Sequence, residues 1–130
     1  MNIVFIVLGL ALMQFLYFGF AVGGARGRYG VEAPAITGNE HFERYFRVHM
    51  NTLELLIVLI PALLMFAQYI SQVWAAALGA VYLVGRFVYF AGYIREPAKR
   101  SVGFMMSFLP IAALLLGGVG GAIVRLVRGG

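Results

Sequence analysis

The sequence predicts an all-α membrane protein, a bundle of four transmembrane helices that occupies residues 1–130 as a single domain. Of its 130 residues, 62% are hydrophobic and only 12% are charged, whereas a soluble domain carries charge on about a quarter of its residues. The apolar residues fall into four long runs, and a helix needs about 20 of them to cross the hydrocarbon core of a bilayer. Four such helices and their connections use nearly the whole chain, which leaves no room for a second domain.

The first helix is predicted over residues 2–25, a run without any charge that ends in small residues. A cleaved signal peptide is the alternative interpretation of such a run. A signal peptide begins with basic residues, and Met1 and Asn2 supply none, although the small residues 21–25 resemble a cleavage site and keep this alternative open. Residues 26–38 are predicted to form the first loop, because arginine, glycine and proline interrupt the apolar pattern there.

The second helix is predicted over residues 40–70. Thr37 and Asn39 are both suitable N-caps, since a short polar side chain can accept a hydrogen bond from a free N–H of the first turn. The first half of this helix is polar and the second half is apolar. Pro61 lies in the apolar half, where a membrane helix tolerates proline if its neighbours satisfy the freed carbonyl.

A very tight connection at Ser71 and Gln72 leads to the third helix, predicted over residues 73–94. A charged loop, residues 95–100, separates it from the fourth helix, predicted over residues 101–127. Residues 117–121 of this last helix read GGVGG. Such small residues allow neighbouring helices to approach closely.

The basic residues predict the orientation in the membrane, because short cytoplasmic loops are enriched in lysine and arginine. Seven lie at the first and third loops and two at the C-terminus: Arg26, Arg28, Arg44, Arg47, Arg95, Lys99 and Arg100, against Arg125 and Arg128. We therefore expect loops one and three in the cytoplasm and both termini on the opposite side. The net charge of +5 is explained by this asymmetry, and no nucleic-acid partner is expected.

Polar side chains form a stripe on each of the second and third helices. Spacings of three, four and three residues on the second helix, and of three and four on the third, place each set on one face. The two sets are Arg44, Arg47, Asn51 and Glu54, and Arg86, Tyr89 and Tyr93. Arg100 follows Tyr93 by seven residues. Both stripes lie at the same end of their helices, so we expect them to face each other.

A structural interpretation of these residues competes with a functional one. Arginines near the helix ends, such as Arg44, extend to the membrane interface without any further role. Glu54 and Arg86 lie deeper, where a charge costs about 2.5–3.5 kcal/mol, and an ion pair between them would account for both. Such a pair does not account for Asn51 and two tyrosines on the same faces. The combination favours a polar ligand site that includes Arg86.

The residue types of the stripes indicate the chemistry of the ligand. Arginines bind carboxylates through paired N–H groups, Glu54 suits an ammonium group, and Asn51 and the tyrosines suit peptide amides. A small zwitterionic peptide with an additional carboxylate satisfies all of these groups. The chain has no cysteine, so any thiol chemistry needs a thiol from the ligand. No metal site is predicted, because His49 has no second ligand at a suitable spacing.

Three segments resemble signatures of the MAPEG family, the membrane-associated proteins in eicosanoid and glutathione metabolism. Residues 47–54, RVHMNTLE, resemble its second-helix signature. Residues 85–93, GRFVYFAGY, and 96–101, EPAKRS, resemble its third-helix and following-loop signatures. The order and spacing of these segments match, the four-helix plan covers the whole chain, and the microsomal glutathione S-transferase branch is the most similar.

The resemblance implies a homotrimer that binds glutathione as a co-substrate between neighbouring subunits, near the cytoplasmic face. It implies that glutathione is held by five residues of one subunit, Arg47, Asn51, Glu54, Tyr89 and Tyr93. It also implies that Arg26 reaches the site from the next subunit and that Arg100 activates the thiol. Tyr93 is expected to supply a second hydrogen bond to the sulfur. Met50 and Gly27 depart from residues common in the family at these positions.

The function expected from this resemblance is that of a membrane-bound glutathione transferase or peroxidase in detoxification, whose lipophilic small-molecule substrate arrives from the bilayer. One alternative is a non-catalytic MAPEG-like protein that binds lipids or other ligands. Such proteins tend to lose the glutathione residues, which are present here. The other alternative is a small four-helix multidrug transporter. That class needs an acidic residue in its first helix, and residues 2–24 contain none.

Overall fold

The computed structural model describes residues 1–129, which form four long α-helices and one short 3-10 helix. The helices are α1 (Asn2–Tyr29), α2 (Glu40–Tyr69), α3 (Gln72–Arg95) and α4 (Arg100–Val127), and the 3-10 helix is Pro97–Lys99. All four long helices are apolar enough to cross a membrane. The predicted four-helix membrane architecture is confirmed. α2 packs against each of the other three helices, and α3 packs extensively against α4.

The end of the first helix was predicted wrongly at residue 25, because α1 continues to Tyr29. Arg26 and Arg28, expected in the loop, lie in its last turn. The helix ends at Gly30, whose φ of 67° is left-handed and whose backbone N–H donates to the Arg26 carbonyl. Glycine adopts this conformation without strain, and basic side chains near a helix C-terminus interact favourably with the exposed carbonyls. The helix therefore continues through Gly27 and ends at Gly30.

The caps of α2 and α3 explain where these helices begin. The Asn39 Oδ1 accepts hydrogen bonds from the backbone N–H groups of His41 and Phe42, at 2.9 and 3.0 Å. Asn39, and not Thr37, is therefore the cap of α2. The Ser71 Oγ accepts from the N–H of Trp74 at 3.2 Å. This cap places Gln72 inside α3, one residue earlier than predicted.

The glycines of α4 allow close helix contacts, in agreement with the sequence pattern at residues 117–121. A Cβ atom on Gly117 would lie 2.5 Å from the Phe66 ring, and one on Gly118 would lie 2.9 Å from the Met65 Cβ. Near the other end of α4, a Cβ atom on Gly103 would lie 2.2 Å from the backbone nitrogen of Tyr89. No side chain fits in that space, so glycine is required for α4 to pack on α3 at this level.

Candidate functional site

A cavity of about 410 Å³ lies between the first half of α2, the C-terminal part of α3 and the first turns of α4. Its volume is within the range of small-molecule binding sites. It is lined by Arg47, Met50, Asn51, Glu54, Tyr89, Tyr93, Arg100, Ser101, Phe104 and Met105. The two polar stripes thus meet at one cavity, and the loop arginine joins them there.

The charged groups of this cavity are not neutralised by one another. Within residues 1–129 the ion pairs join Glu40 to Arg44 and Glu96 to Lys99, and neither pair includes a cavity residue. Arg47, Arg100 and Glu54 therefore leave the lining with two positive charges and one negative charge. These charges are available to a ligand that carries more carboxylate than ammonium groups.

Arg100 is the first residue of α4 and follows directly on the short 3-10 helix. Its Nη1 donates to the carbonyl of Pro97 at 2.9 Å. This bond to the loop holds the guanidinium at the edge of the cavity. One N–H group of Arg100 is used in the bond to the Pro97 carbonyl, and the other N–H groups of the guanidinium can donate to a bound anion.

The tyrosine wall of the cavity is built by α3. The rings of Tyr89 and Tyr93 lie 5.5 Å apart between centroids, inclined by 50°. Tyr89 is buried, with 5% of its surface exposed, and the backbone of α4 at Gly103 contacts it directly. This tight contact places the Tyr89 side chain firmly, while Tyr93, one turn further on, is less buried.

Arg86 lies behind the cavity wall and is fully buried, with 0% of its surface exposed. Its Nη1 donates to the Asn51 Oδ1 at 2.8 Å and to the Thr52 Oγ1 at 3.2 Å, and its Nε donates to the Ser107 Oγ at 2.9 Å. Its guanidinium carbon lies 4.2 Å from the centre of the Tyr89 ring. Arg86 therefore touches two lining residues, Asn51 and Tyr89, without lining the cavity itself.

The Glu54–Arg86 ion pair considered from the sequence is absent from the part of the chain that the structure describes. Arg86 is bonded to neutral oxygens instead, and Glu54 lies in the cavity lining. The side chain of Arg86 reaches Asn51 and Thr52 on the second helix, and it does not reach Glu54. The expectation that Arg86 contacts the ligand directly disagrees with its position behind Asn51.

Arg26 lies outside the cavity of its own chain. Its Nη1 donates to the carbonyl of Ala35 at 2.7 Å and of Val31 at 3.4 Å, and its guanidinium carbon lies 4.8 Å from the centre of the Phe42 ring. These contacts hold the loop after α1 against α2. A role of Arg26 at the site of a neighbouring subunit stays a prediction.

Arg44 was included in the stripe of the second helix but does not line this cavity. Its Nη1 donates to the carbonyls of Ile94 and Arg95, at 3.3 and 3.0 Å. These are carbonyls of the last turn of α3, which have no partner inside the helix. Arg44 therefore ties α2 to the end of α3, in line with the structural interpretation.

Three lining residues were not predicted from the sequence: Ser101, Phe104 and Met105. All three lie on the first turns of α4, and Phe104 and Met105 follow Arg100 and Ser101 by four residues each. Helical spacing from Arg100 and Ser101 was the signal that would have found Phe104 and Met105. Phe104 and Met105 of α4, together with Met50 of α2, add apolar groups to the cavity lining.

Comparison with known proteins relates this chain to enzymes of glutathione metabolism. The model of the MAPEG family matches residues 4–120, which include every lining residue of the cavity. Human microsomal glutathione S-transferase 2 is 44% identical over 112 residues, covering 85% of this chain and 76% of the human protein. The bovine protein of that name is 41% identical over 112 residues, covering 85% and 77%. Leukotriene C4 synthase of Cavia porcellus is 31% identical over 140 residues, covering 94% and 88%.

Proposed function

The chain belongs to the MAPEG family, and from this premise we propose that it is a membrane-bound glutathione transferase. The observation that carries the proposal is the cavity between α2, α3 and α4, which gathers arginine, carboxylate, amide and phenol groups in one place. Relatives named microsomal glutathione S-transferase and leukotriene C4 synthase support the same class of activity.

The charges of the cavity fit glutathione. This tripeptide carries two carboxylates, one ammonium group and, once activated, a thiolate, and the lining offers two arginines and one glutamate, Arg47, Arg100 and Glu54. Charge-assisted hydrogen bonds from guanidinium to carboxylate are the strong ones in proteins. In the proposed complex Glu54 binds the ammonium group, and Arg47 binds a carboxylate. Asn51 and Tyr89 bind oxygens of the peptide backbone.

The proposed catalytic groups are Arg100 and Tyr93. A thiol with a pKa of about 8.5 is mostly protonated at neutral pH, and only the thiolate is a good nucleophile. A guanidinium or a hydroxyl that donates a hydrogen bond to the sulfur favours the charged form and lowers its pKa. The thiol proton leaves to solvent. The thiolate sulfur then attacks an electrophilic carbon and forms a C–S bond, while the leaving group departs with its electron pair.

The second substrate is proposed to be lipophilic and to enter from the bilayer. The apolar lining residues Met50, Phe104 and Met105 suit such a molecule. The same thiolate serves a peroxidase reaction with a lipid hydroperoxide. There, two glutathione molecules become one disulfide, and the hydroperoxide becomes an alcohol and water.

The wild-type protein provides the first test, through the ultraviolet absorbance of thiolate as glutathione is added at neutral pH. We expect a saturable thiolate band, followed by turnover of an aryl halide or a lipid hydroperoxide. Binding without turnover of either substrate class would favour a non-catalytic MAPEG-like binding protein. An absence of glutathione binding would contradict the proposal, and other low-molecular-weight thiols would then be tested in the same assay.

We propose that the active assembly is a homotrimer in which Arg26 completes the site of the neighbouring subunit. The support is the family membership and the position of Arg26 outside the cavity of its own chain. Native mass spectrometry in detergent should give three copies, and Arg26→Ala should weaken glutathione binding without loss of the trimer. A monomer that binds glutathione would contradict this assembly.

The proposed orientation places loops one and three in the cytoplasm, because seven basic residues flank them and two lie at the C-terminus. A reporter enzyme fused to the C-terminus should therefore be active only on the non-cytoplasmic side. A fusion at residues 32–36 of the first loop should give the opposite result. Cytoplasmic activity of the C-terminal fusion would overturn the orientation.

A further inference from the structure

The buried guanidinium of Arg86 has no negatively charged partner. Its acceptors are the neutral oxygens of Asn51, Thr52 and Ser107, and its Nη2 has no partner within residues 1–129. A charged group is costly to bury inside a membrane protein, and an apolar side chain of similar size would fill the same space at lower cost. Packing alone therefore does not account for an arginine at this position.

Two hydroxyl groups, those of Thr52 and Ser107, accept hydrogen bonds from the guanidinium and hold it in one position. Each of these hydroxyls donates its own proton to a backbone carbonyl. The Thr52 hydroxyl donates to the carbonyl of Val48 at 2.7 Å, and the Ser107 hydroxyl donates to the carbonyl of Gly103 at 2.7 Å. Each hydroxyl therefore presents a lone pair to Arg86, on α2 and on α4 respectively. This arrangement fixes the Nη1 group that reaches Asn51.

The contact between Arg86 and Asn51 decides which way the Asn51 amide faces. A guanidinium only donates hydrogen bonds, so the atom 2.8 Å from its Nη1 must be the amide oxygen. The reversed amide would place two donors against each other. Asn51 also lines the cavity. Its NH₂ group, with two N–H donors, therefore remains available to donate hydrogen bonds to a ligand in the cavity.

We propose that Arg86 is a positioning residue that holds the Asn51 amide with its donors toward the cavity. The cavity is thereby made selective for a ligand with an acceptor oxygen, a carboxylate or a peptide carbonyl, at this wall. The inference rests on the proposed function, because the ligand used to test it is glutathione. In this proposal Arg86 acts through Asn51 and does not touch the ligand, in contrast to the direct contact expected from the sequence.

The test measures the dissociation constant of glutathione by equilibrium dialysis with purified Arg86→Met. We expect binding about tenfold weaker, comparable to the loss of one or two hydrogen bonds. The matched control is Leu114→Ala, which removes a fully buried side chain of the apolar core. This control should lower the unfolding temperature in detergent while leaving the dissociation constant within twofold. An Arg86→Met protein that binds glutathione like the wild type overturns the proposal.

A double-mutant cycle separates positioning from a general structural role. In an Asn51→Ala background the amide is gone, so Arg86→Met should weaken glutathione binding by less than about threefold. A structural role would give the same factor in both backgrounds, and that result overturns the proposal. If wild-type protein and all variants bind no glutathione, the proposed function fails instead, so the two failures are distinguishable.

Asn51→Asp tests whether the amide donors of Asn51 face the ligand, and this test does not require Arg86→Met to fold. A carboxylate at this position still accepts from Arg86, so the variant should be at least as stable as the wild type in thermal unfolding. It removes the amide donors and adds a negative charge, so glutathione binding should weaken at least about tenfold. Stability retained with unchanged affinity would show that the amide donors do not face the ligand, and would overturn the proposal.

Discussion

The two halves of α2 pack in different ways, although they belong to one continuous helix. In the second half, Met65 and Phe66 are in direct contact with the glycines of α4. In the first half, α4 approaches α3 instead, with Gly103 against Tyr89, and the cavity lies between the three helices. The close contacts of α4 are thus with α2 at Gly117 and Gly118, and with α3 at Gly103. The candidate cavity lies at the level of Gly103, between the three helices.

Gly103→Ala should disrupt the contact between α4 and α3, and we expect it to have the largest effect on stability among the variants below. The added Cβ atom would lie 2.2 Å from the Tyr89 nitrogen, and forcing α3 and α4 apart should cost about 3 kcal/mol of stability. Glutathione binding should fall as well, because Tyr89 moves. Thermal unfolding in detergent and equilibrium dialysis measure the two effects.

Two other glycines of α4 serve as controls for Gly103→Ala. Gly118→Ala, at the Met65 contact, should lower stability but leave glutathione affinity unchanged in the folded protein. A Cβ atom on Gly120 would meet no other atom within 4 Å, so Gly120→Ala should change stability by less than about 0.5 kcal/mol. Equal effects of Gly103→Ala and Gly120→Ala would contradict the packing argument.

Glu54→Gln should affect binding and not stability, which sharpens the contrast between the two halves of α2. Glu54 is exposed to the cavity and has no ion-pair partner among residues 1–129, so the fold does not depend on its charge. Losing the partner of the ligand ammonium should weaken glutathione binding by about 2 kcal/mol, or about thirtyfold. Glu32→Gln in the first loop is the matched control. An unchanged dissociation constant would exclude Glu54 as the ammonium ligand.

Arg100→Ala should change the chemistry with a smaller free-energy effect. Without the guanidinium the bound thiolate is less favoured, so the pKa of the glutathione thiol should rise by about one unit, or about 1.36 kcal/mol. Turnover at neutral pH should fall accordingly. The thiolate band measured against pH reports the change, and Tyr93→Phe should give a smaller shift in the same direction. Arg95→Ala, outside the cavity, is the control.

The alternative outcome for Arg100 is equally specific. If Arg100→Ala weakens glutathione binding but leaves the thiolate titration where it was, Arg100 binds a carboxylate. The activating role would then pass to Tyr93 or to Arg26 of a neighbouring subunit.

The sequence by itself determined the four helices and which residues share a face. Apolar composition and helical spacing are properties of neighbouring residues, so they can be derived without the fold, whereas the choice of Asn39 over Thr37 as the cap of α2 came from the structure. Arg47, Asn51 and Glu54 were placed on one face for this reason, and all three line the cavity. The end of α1 was predicted wrongly because both Gly27 and Gly30 could end a helix. The backbone conformation, left-handed at Gly30, decides between them.

Only the tertiary structure decided how far each polar residue reaches into the site. Arg86 and Tyr89 share a face of α3, yet Tyr89 lines the cavity and Arg86 lies behind Asn51. The difference arises because Arg86 donates hydrogen bonds to Asn51 and Thr52 on α2 and to Ser107 on α4, which keep its guanidinium behind the cavity wall. The spacing along α3 does not predict these partners. They come from distant parts of the chain, which only the packed bundle brings together.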